Sequence, residues 1–355
     1  MVKGRTARFC FKASQNMLAS VRLGFQKKQN RIKMIPEKIK KIMRKQHYEL
    51  VGNNSAIQVC RWTKKSLLDE GVCYKEKFYG IKSHTCCQMS PFFACPNECV
   101  HCWRPIELTG LSLNIENETL DKPKDIIDGC IEAQRKLLTG FGGNKKVDKL
   151  KFKEAQCPKQ FAISLIGEPT IYPWLAELIL ELRKRGITSF LVTNGLYPEK
   201  IKELKEKNAL PTQIYLSLNS PNKDMYGEWH KSKLEDAWQR FNKTLELFKE
   251  LPVRRVVRMT LIKDKNICCE EDYAGLIKKA NPDFVEVKAF MSVGYSRKRL
   301  GYEKMPSHKE VRDFAEKIAE CLKDEGYKIL DEKRESRVVL IGKSREKMKI
   351  KQDEI

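Results

Sequence analysis

No apolar run in this 355-residue chain approaches the roughly 18–20 residues that a bilayer-spanning helix needs. The N-terminus has no apolar core ahead of a small-residue cleavage site, so a secretory signal is missing too. Acid is scarce: 46 Asp and Glu stand against 69 Lys and Arg, a formal net charge of +23. No Gly-x-Gly-x-x-Gly turn follows the first strand candidate, which argues against a dinucleotide fold. No internal repeat is visible. What is present is the composition of a soluble globular protein, 41% hydrophobic and 32% charged, long enough for one large domain or two small ones. The excess of base asks for an anionic partner, with nucleic acid the first candidate, because Lys and Arg neutralise phosphates and release counterions. The plain alternative is that runs such as Lys202–Lys207 are solvated helix faces.

Cysteine is not scarce. Many of the 13 cysteines crowd into residues 60–102, in a long chain without a signal, so metal ligation is favoured over disulfides. A reducing, oxygen-poor cytoplasm is the expected location. The densest group is Cys95-Pro-Asn-Glu-Cys99-Val-His-Cys102-Trp103, a C-x3-C-x2-C pattern. Three thiolates so close can hold three corners of a [4Fe-4S] cube and leave one iron open for a ligand, whereas four cysteines make mainly an electron carrier. Structural zinc usually takes two C-x2-C pairs, and one pair with a third cysteine upstream fits it less well. The spacing resembles that of the radical S-adenosylmethionine (SAM) superfamily. That resemblance implies that the amino and carboxylate groups of SAM chelate the open iron, and that one electron then yields a 5′-deoxyadenosyl radical.

Along the chain, residues 1–46 read as a basic, flexible N-terminal extension almost without acid, with a short basic helix over 36–46. Met34 and Met43 stand in it as alternative starts. Residues 47–84 form a cysteine-bearing segment, residues 85–300 the core, and residues 301–355 a C-terminal helix and strand covering it. Strand candidates are Thr85–Phe93, Phe161–Ile166, Ser189–Thr193, Gln213–Leu218, Val256–Ile262 and Phe284–Phe290, with Val338–Ile341 last. Helix candidates are Lys122–Leu138, Tyr172–Arg185, Pro198–Lys207, Lys233–Glu250, Glu270–Ala280 and Ser307–Glu325. The alternation predicts an α/β fold, a partial β/α barrel of TIM type with about six units and parallel strands. Catalytic groups then gather at the C-terminal strand ends.

The motifs at those ends fit. Ile166-Gly167-Glu168-Pro169-Thr170 resembles the superfamily segment that holds the SAM amino group, although Ile166 replaces the usual first Gly; alone it would read as a strand–turn–helix connection. Asn194 and Ser217 place small polar groups where a ribose or carboxylate can lie, but Asn-Gly is also an ordinary turn. Arg258 is a candidate for the carboxylate of SAM or of a substrate, with an outward ion pair as its alternative. His101 stands where the superfamily usually has an aromatic residue packing on adenine. Upstream, Cys60, Cys73 and Cys86 are spaced by 13 and 13 and suggest a second cluster; buried small hydrophobes are the plain alternative.

The upstream arrangement resembles the archaeal tRNA 4-demethylwyosine synthases, over roughly residues 47–345. It includes Cys73-Tyr74-Lys75 with Phe78-Tyr79-Gly80-Ile81, His84-Thr85-Cys86, Ala94-Cys95 through Arg104, Gly294-Tyr295-Ser296-Arg297 with Arg299-Leu300, and Met305-Pro306 with His308. The short form, without the flavodoxin-like domain of eukaryotic relatives, is expected. The family match favours Cys86 over the adjacent Cys87 as ligand, and Lys75 matches the lysine proposed there to form a Schiff base with pyruvate. Lys77 competes for that role. The implied cofactors are two [4Fe-4S] clusters and SAM. The implied partners are tRNA(Phe) carrying N1-methylguanosine at position 37, pyruvate and an unidentified electron donor, with no membrane and a monomeric chain. The implied reaction condenses that base with two pyruvate carbons into tricyclic 4-demethylwyosine, with loss of the carboxyl carbon. Arg297, Lys298 and Arg299 are a candidate grip for the anticodon loop. Alternatives are a radical SAM enzyme acting on another RNA or a peptide, and a zinc-stabilised RNA-binding module.

Overall fold

A computed structural model describes residues 37–106, 120–351 and 354, so most of the expected flexible extension lies outside the described residues. The short basic helix expected over 36–46 is present as α1 (Glu37–Lys45). Among the described residues ten strands form one sheet in the order β1-β2-β3-β4-β5-β6-β7-β8-β10-β9. Its centre is six parallel strands: β3 (Cys86–Ser90), β4 (Gln160–Ile163), β5 (Thr188–Thr193), β6 (Gln213–Ser217), β7 (Arg254–Leu261) and β8 (Phe284–Ala289). Antiparallel pairs extend both sides, β1 (Glu49–Val51) with β2 (Ser55–Gln58), and β9 (Lys328–Lys333) with β10 (Val338–Gly342). Among the described residues β1 and β9 are not paired with each other, and the barrel is incomplete, as expected.

Period-2 alternation sorts the strands into two faces. Outward residues such as Leu191, Ile214, Val257, Met259, Val285 and Val339 join Leu178, Phe241, Ile277 and Phe314 from the crossover helices in the main core. Inward residues Phe190, Tyr215, Val256, Phe284, Val338 and Leu340 pack on Tyr74, Phe78 and Tyr79. Those three belong to the short helix α2 (Tyr74–Tyr79), which plugs the inside of the barrel and ends at Gly80 with a left-handed φ of 83°. The inner surface is therefore apolar low down and polar toward the C-terminal strand ends. There Ser217, Arg258 and Glu286 share one register row, with Thr260 and Lys288 in the next.

The crossover helices start where the residues allow. Pro123 and Pro198 open helices Pro123–Gly142 and Pro198–Glu206, where a missing N–H costs nothing. Ser307 and Glu310 form a capping box before His308–Cys321. The expected Lys233–Glu250 helix begins at Ala237, and a separate helix Lys223–His230 precedes it. The expected Tyr172–Arg185 helix begins at Leu175, after a tight turn over Pro169–Ile171. Among the described residues no helix is long and apolar enough to cross a membrane.

Candidate active site

Cys95, Cys99 and Cys102 lie on the loop that leaves β3, and all three are half-buried. Burial pushes the Cys95 and Cys99 thiols above the ordinary range, so holding them as thiolates requires positive charge nearby. Part of that charge is Arg104, whose Nε donates to Cys102 Sγ at 3.1 Å while its other end donates to Asn97 O at 3.0 Å. Arg299 reaches in from the far side of the barrel, its Nε donating to Val100 O at 3.0 Å, with a further bond to Cys102 O. Gly167 makes the close packing possible. Its φ is +76°, and a Cβ there would fall 2.3 Å from Phe92 O.

One cavity of about 330 Å³ at the C-terminal strand ends gathers this loop with Gly167, Glu168, Asn194, Ser217, Arg258 and His101. The His101 Nδ1 is buried without a partner, and its Nε2 sits 3.5 Å from Asn219 Nδ2. Burial lowers its pKa to about 4, so the ring is neutral. Asn194 Nδ2 lies 3.6 Å from Cys95 Sγ. Glu168 is only 2% exposed. Its carboxylate accepts from Thr170 N, Thr170 Oγ1, Thr193 Oγ1 and Asn194 N at 2.7–3.1 Å. Glu168 thereby braces two strand-end loops, with three of these bonds on Oε1 and one on Oε2. A second cleft, of about 480 Å³, lies at the opposite strand ends, lined by Tyr79, Thr85 and Gln160, with none of the six cysteines among its lining residues.

Cys60 immediately precedes helix Arg61–Leu67, Cys73 caps α2, and Cys86 opens β3. Burial pushes the Cys73 thiol up to about 12, and Cys60 adds to the rise; Cys86 is raised by burial too. Cys60 and Cys73 both add to the rise at Cys86. Cys87 points the other way, fully buried in the main core with Cys130. Lys75 is 8% exposed. Its Nζ lies 5.0 Å from the Phe190 ring centre and 4.8 Å from that of Tyr215. Burial, then the charge of Arg258, holds its pKa below the lysine value, while Cys73 and Cys86 oppose this. Lys77 lies on the opposite side of α2, paired with Asp331 at 2.7 Å and open to solvent. Structural zinc takes four ligands on one ion, typically as two C-x2-C pairs, a pattern that neither cysteine trio repeats. A cube instead takes each thiolate on a separate iron.

Residues 89–277 match the family model described as Radical SAM superfamily, and residues 279–343 that described as Wyosine base formation. The S-adenosyl-L-methionine-dependent tRNA 4-demethylwyosine synthase of Pyrococcus abyssi is 49% identical over 308 residues, 86% of this chain and 89% of that protein. This chain belongs to that family of radical SAM enzymes. The synthase of Methanocaldococcus jannaschii is 37% identical over 89% of this chain and 99% of its own length. The solved structure of TYW1 with a lysine-pyruvate adduct bound is similar with a TM-score of 0.78 at 34% identity, covering 90% of this chain and 99% of that one. A crystal structure of archaeal TYW1 has a TM-score of 0.69 at 32% identity, again over 90% and 99%. The superfamily implies SAM and a [4Fe-4S] cluster, for which Cys95, Cys99 and Cys102 are a fitting soft donor set.

Within this family frame, one feature corrects the sequence reading, one narrows it and others add to it. Arg299 was grouped with Arg297 and Lys298 as an RNA grip, but it is a clamp on the backbone of the cysteine loop. Arg258 is not an outward ion pair: it faces inward, bound to Glu286 through Nε at 2.9 Å, with one terminal nitrogen buried and unpartnered. Glu286 was missed, as was Lys288, although Phe284-Val-Glu-Val-Lys-Ala289 alternates and so places both on the face opposite Val285 and Val287. Trp103, 38% exposed at the cavity rim, is anchored by its indole N–H on Leu165 O at 2.9 Å.

Proposed function

We propose that this chain condenses N1-methylguanosine-37 of tRNA(Phe) with pyruvate to give tricyclic 4-demethylwyosine. Cys95, Cys99 and Cys102 would hold the SAM-binding cube, and Cys60, Cys73 and Cys86 a second one. The observation that carries the reading is Lys75, an amine buried between Phe190 and Tyr215 beside the second cysteine trio. Burial favours the neutral amine, which can attack a ketone and release water to form an imine. The related TYW1 structure with a lysine-pyruvate adduct supports the same role. When bound, SAM and its cube supply a radical able to take hydrogen from an unactivated N-methyl group.

The residues of the cavity do the rest. Gly167, Asn194 and Ser217 leave room and polar groups for SAM, and the neutral His101 ring offers a flat face with a free nitrogen. The target base must leave the anticodon stack to reach this depth. The exposed Trp103 face at the rim suits a displaced base, since aromatic stacking on a base is worth about 1–3 kcal/mol. Anaerobic incubation with SAM, a reductant, pyruvate and tRNA containing N1-methylguanosine, followed by nucleoside mass spectrometry, tests the reading. The tricyclic nucleoside should form only with all components present. Product without pyruvate, or from tRNA lacking the methyl group, would overturn it.

A further inference from the structure

The inner face of β8 carries two ionisable side chains, Glu286 and Lys288, one strand period apart. Glu286 is fully buried, and its carboxylate is saturated by Tyr79 OH at 2.7 Å, Arg258 Nε at 2.9 Å and Tyr74 OH at 3.0 Å. Lys288 has a thinner set of partners: Nζ donates to Ser336 O at 3.1 Å and lies 5.8 Å from the Tyr74 ring centre. Its side chain also lines the cavity that holds the Cys95 loop. An ammonium has three N–H donors, so Lys288 retains donors for a ligand.

The charges around it do not balance within the chain. Lys75, Lys288 and Arg258 meet here, and Glu286 is the carboxylate that acts on both lysines. With Lys75 neutral, as imine formation requires, Lys288 and Arg258 are two cations against the one carboxylate of Glu286. A monoanion would offset the remaining positive charge, and burying unpaired charge is costly enough that a ligand anion is favoured. Arg258 supplies a second pointer, since one terminal nitrogen is buried without a partner. Thr260 is the residue opposite Lys288, which makes Arg258 and Lys288 diagonal neighbours on adjoining strands, a separation long side chains can bridge.

We propose that Lys288, with the free edge of Arg258, seats the carboxylate of a 2-oxo acid, so that the keto carbon is presented to Lys75. The inference rests on the reading of Lys75 as the amine that captures pyruvate. It makes Lys288 the residue that selects an acid over a neutral ketone.

The test uses the anaerobically reconstituted enzyme, with iron content matched across wild type, Lys288→Met and Lys288→Arg. Equilibrium dialysis with labelled pyruvate gives affinity without requiring an imine. Borohydride trapping, read by intact mass, compares pyruvate with hydroxyacetone, a ketone of similar size without the carboxylate. Lys288→Met should raise the pyruvate dissociation constant by about tenfold to a hundredfold, the loss expected for a hydrogen bond to a charged group. Lys288→Arg should keep most of the affinity, and hydroxyacetone trapping should be equal in all three proteins. Equal pyruvate affinity in wild type and Lys288→Met would overturn the inference, as would equal trapping losses for both ketones or no pyruvate binding to wild type. If wild type binds pyruvate in dialysis but borohydride fixes none, the imine reading fails, and the dialysis comparison still decides the role of Lys288.

Discussion

Lys75 and Lys77 are two residues apart on one helix, a rotation of about 200°, so they cannot share a face. The sequence left both open as the catalytic amine. The packing separates them, because Tyr74 and Phe78 turn inward and carry Lys75 with them. Lys75→Ala should abolish borohydride-trapped pyruvate and product while keeping the iron content of the wild type. Lys77→Ala should keep both, losing an exposed ion pair worth at most about 1 kcal/mol. Trapping that persists in Lys75→Ala would move the amine elsewhere. The cysteines were legible one by one because their spacing is local. Glu286 was not, because its importance comes from Tyr74, Tyr79 and Arg258, which converge from distant parts of the chain. Removing it strands a buried guanidinium and two hydroxyls. Glu286→Ala should therefore cost roughly 3–5 kcal/mol, read as a lowered urea midpoint; a shift within error would mean that the hydroxyls and Arg258 find new partners.

Elements with strong alternation or strong periodicity were readable from the chain, and the central six strands follow the expected order with boundaries moved by a few residues. Those missed have weak patterns. β1 has three residues, β9 reads Lys-Ile-Leu-Asp-Glu-Lys, and both depend on a neighbouring strand for their pairing. Helix Lys223–His230 has Gly227 in its middle, and Asn222 caps its start by accepting from Met225 N. It is held by tertiary packing: His230 stacks on Tyr226 with ring centres 4.2 Å apart and meets His101 edge-on at 6.0 Å. Burial, then the charge of His101, lowers the His230 pKa from 6.5 to about 3. A histidine kept neutral by the fold contributes full stability above the unfolded value near 6.5. That stability is lost as pH falls from there toward 3, since the unfolded chain then binds the extra proton. Urea midpoints should fall between pH 6.5 and 5, by up to about 1.4 kcal/mol per pH unit from this group. His230→Phe, which keeps a ring for Tyr226 to stack on, should flatten that slope. An identical slope in the variant would assign the acid sensitivity to other groups.

At the scale of the whole molecule, the barrel has a closed end and an open one. Among the described residues, α2 and its aromatic residues fill the lower interior, so a substrate as large as a tRNA loop has its way in where the strands end. The net charge of +23 then has a direction to act in, drawing phosphates toward the enzyme and making affinity depend steeply on salt. The basic run after β8 is where the sequence placed the RNA contact, but its three members have different tasks. Arg297 lies over the exposed Tyr302 ring at 5.6 Å, and Lys298 over Tyr295 at 4.6 Å, so both pair a cation with an aromatic face. Arg299 is spent on the carbonyls of the cysteine loop. Replacing Arg297 and Lys298 together by Ala should weaken tRNA binding and flatten the slope of log affinity against log salt by roughly 1–2, less than one unit per lost phosphate contact. Arg299→Ala should leave that slope in place and instead lower the iron retained by the Cys95 loop, because the backbone that spaces three thiolates loses its clamp. The reverse outcome, an unchanged slope in the double variant with a flattened one in Arg299→Ala, would mean that Arg299 leaves the loop to meet RNA.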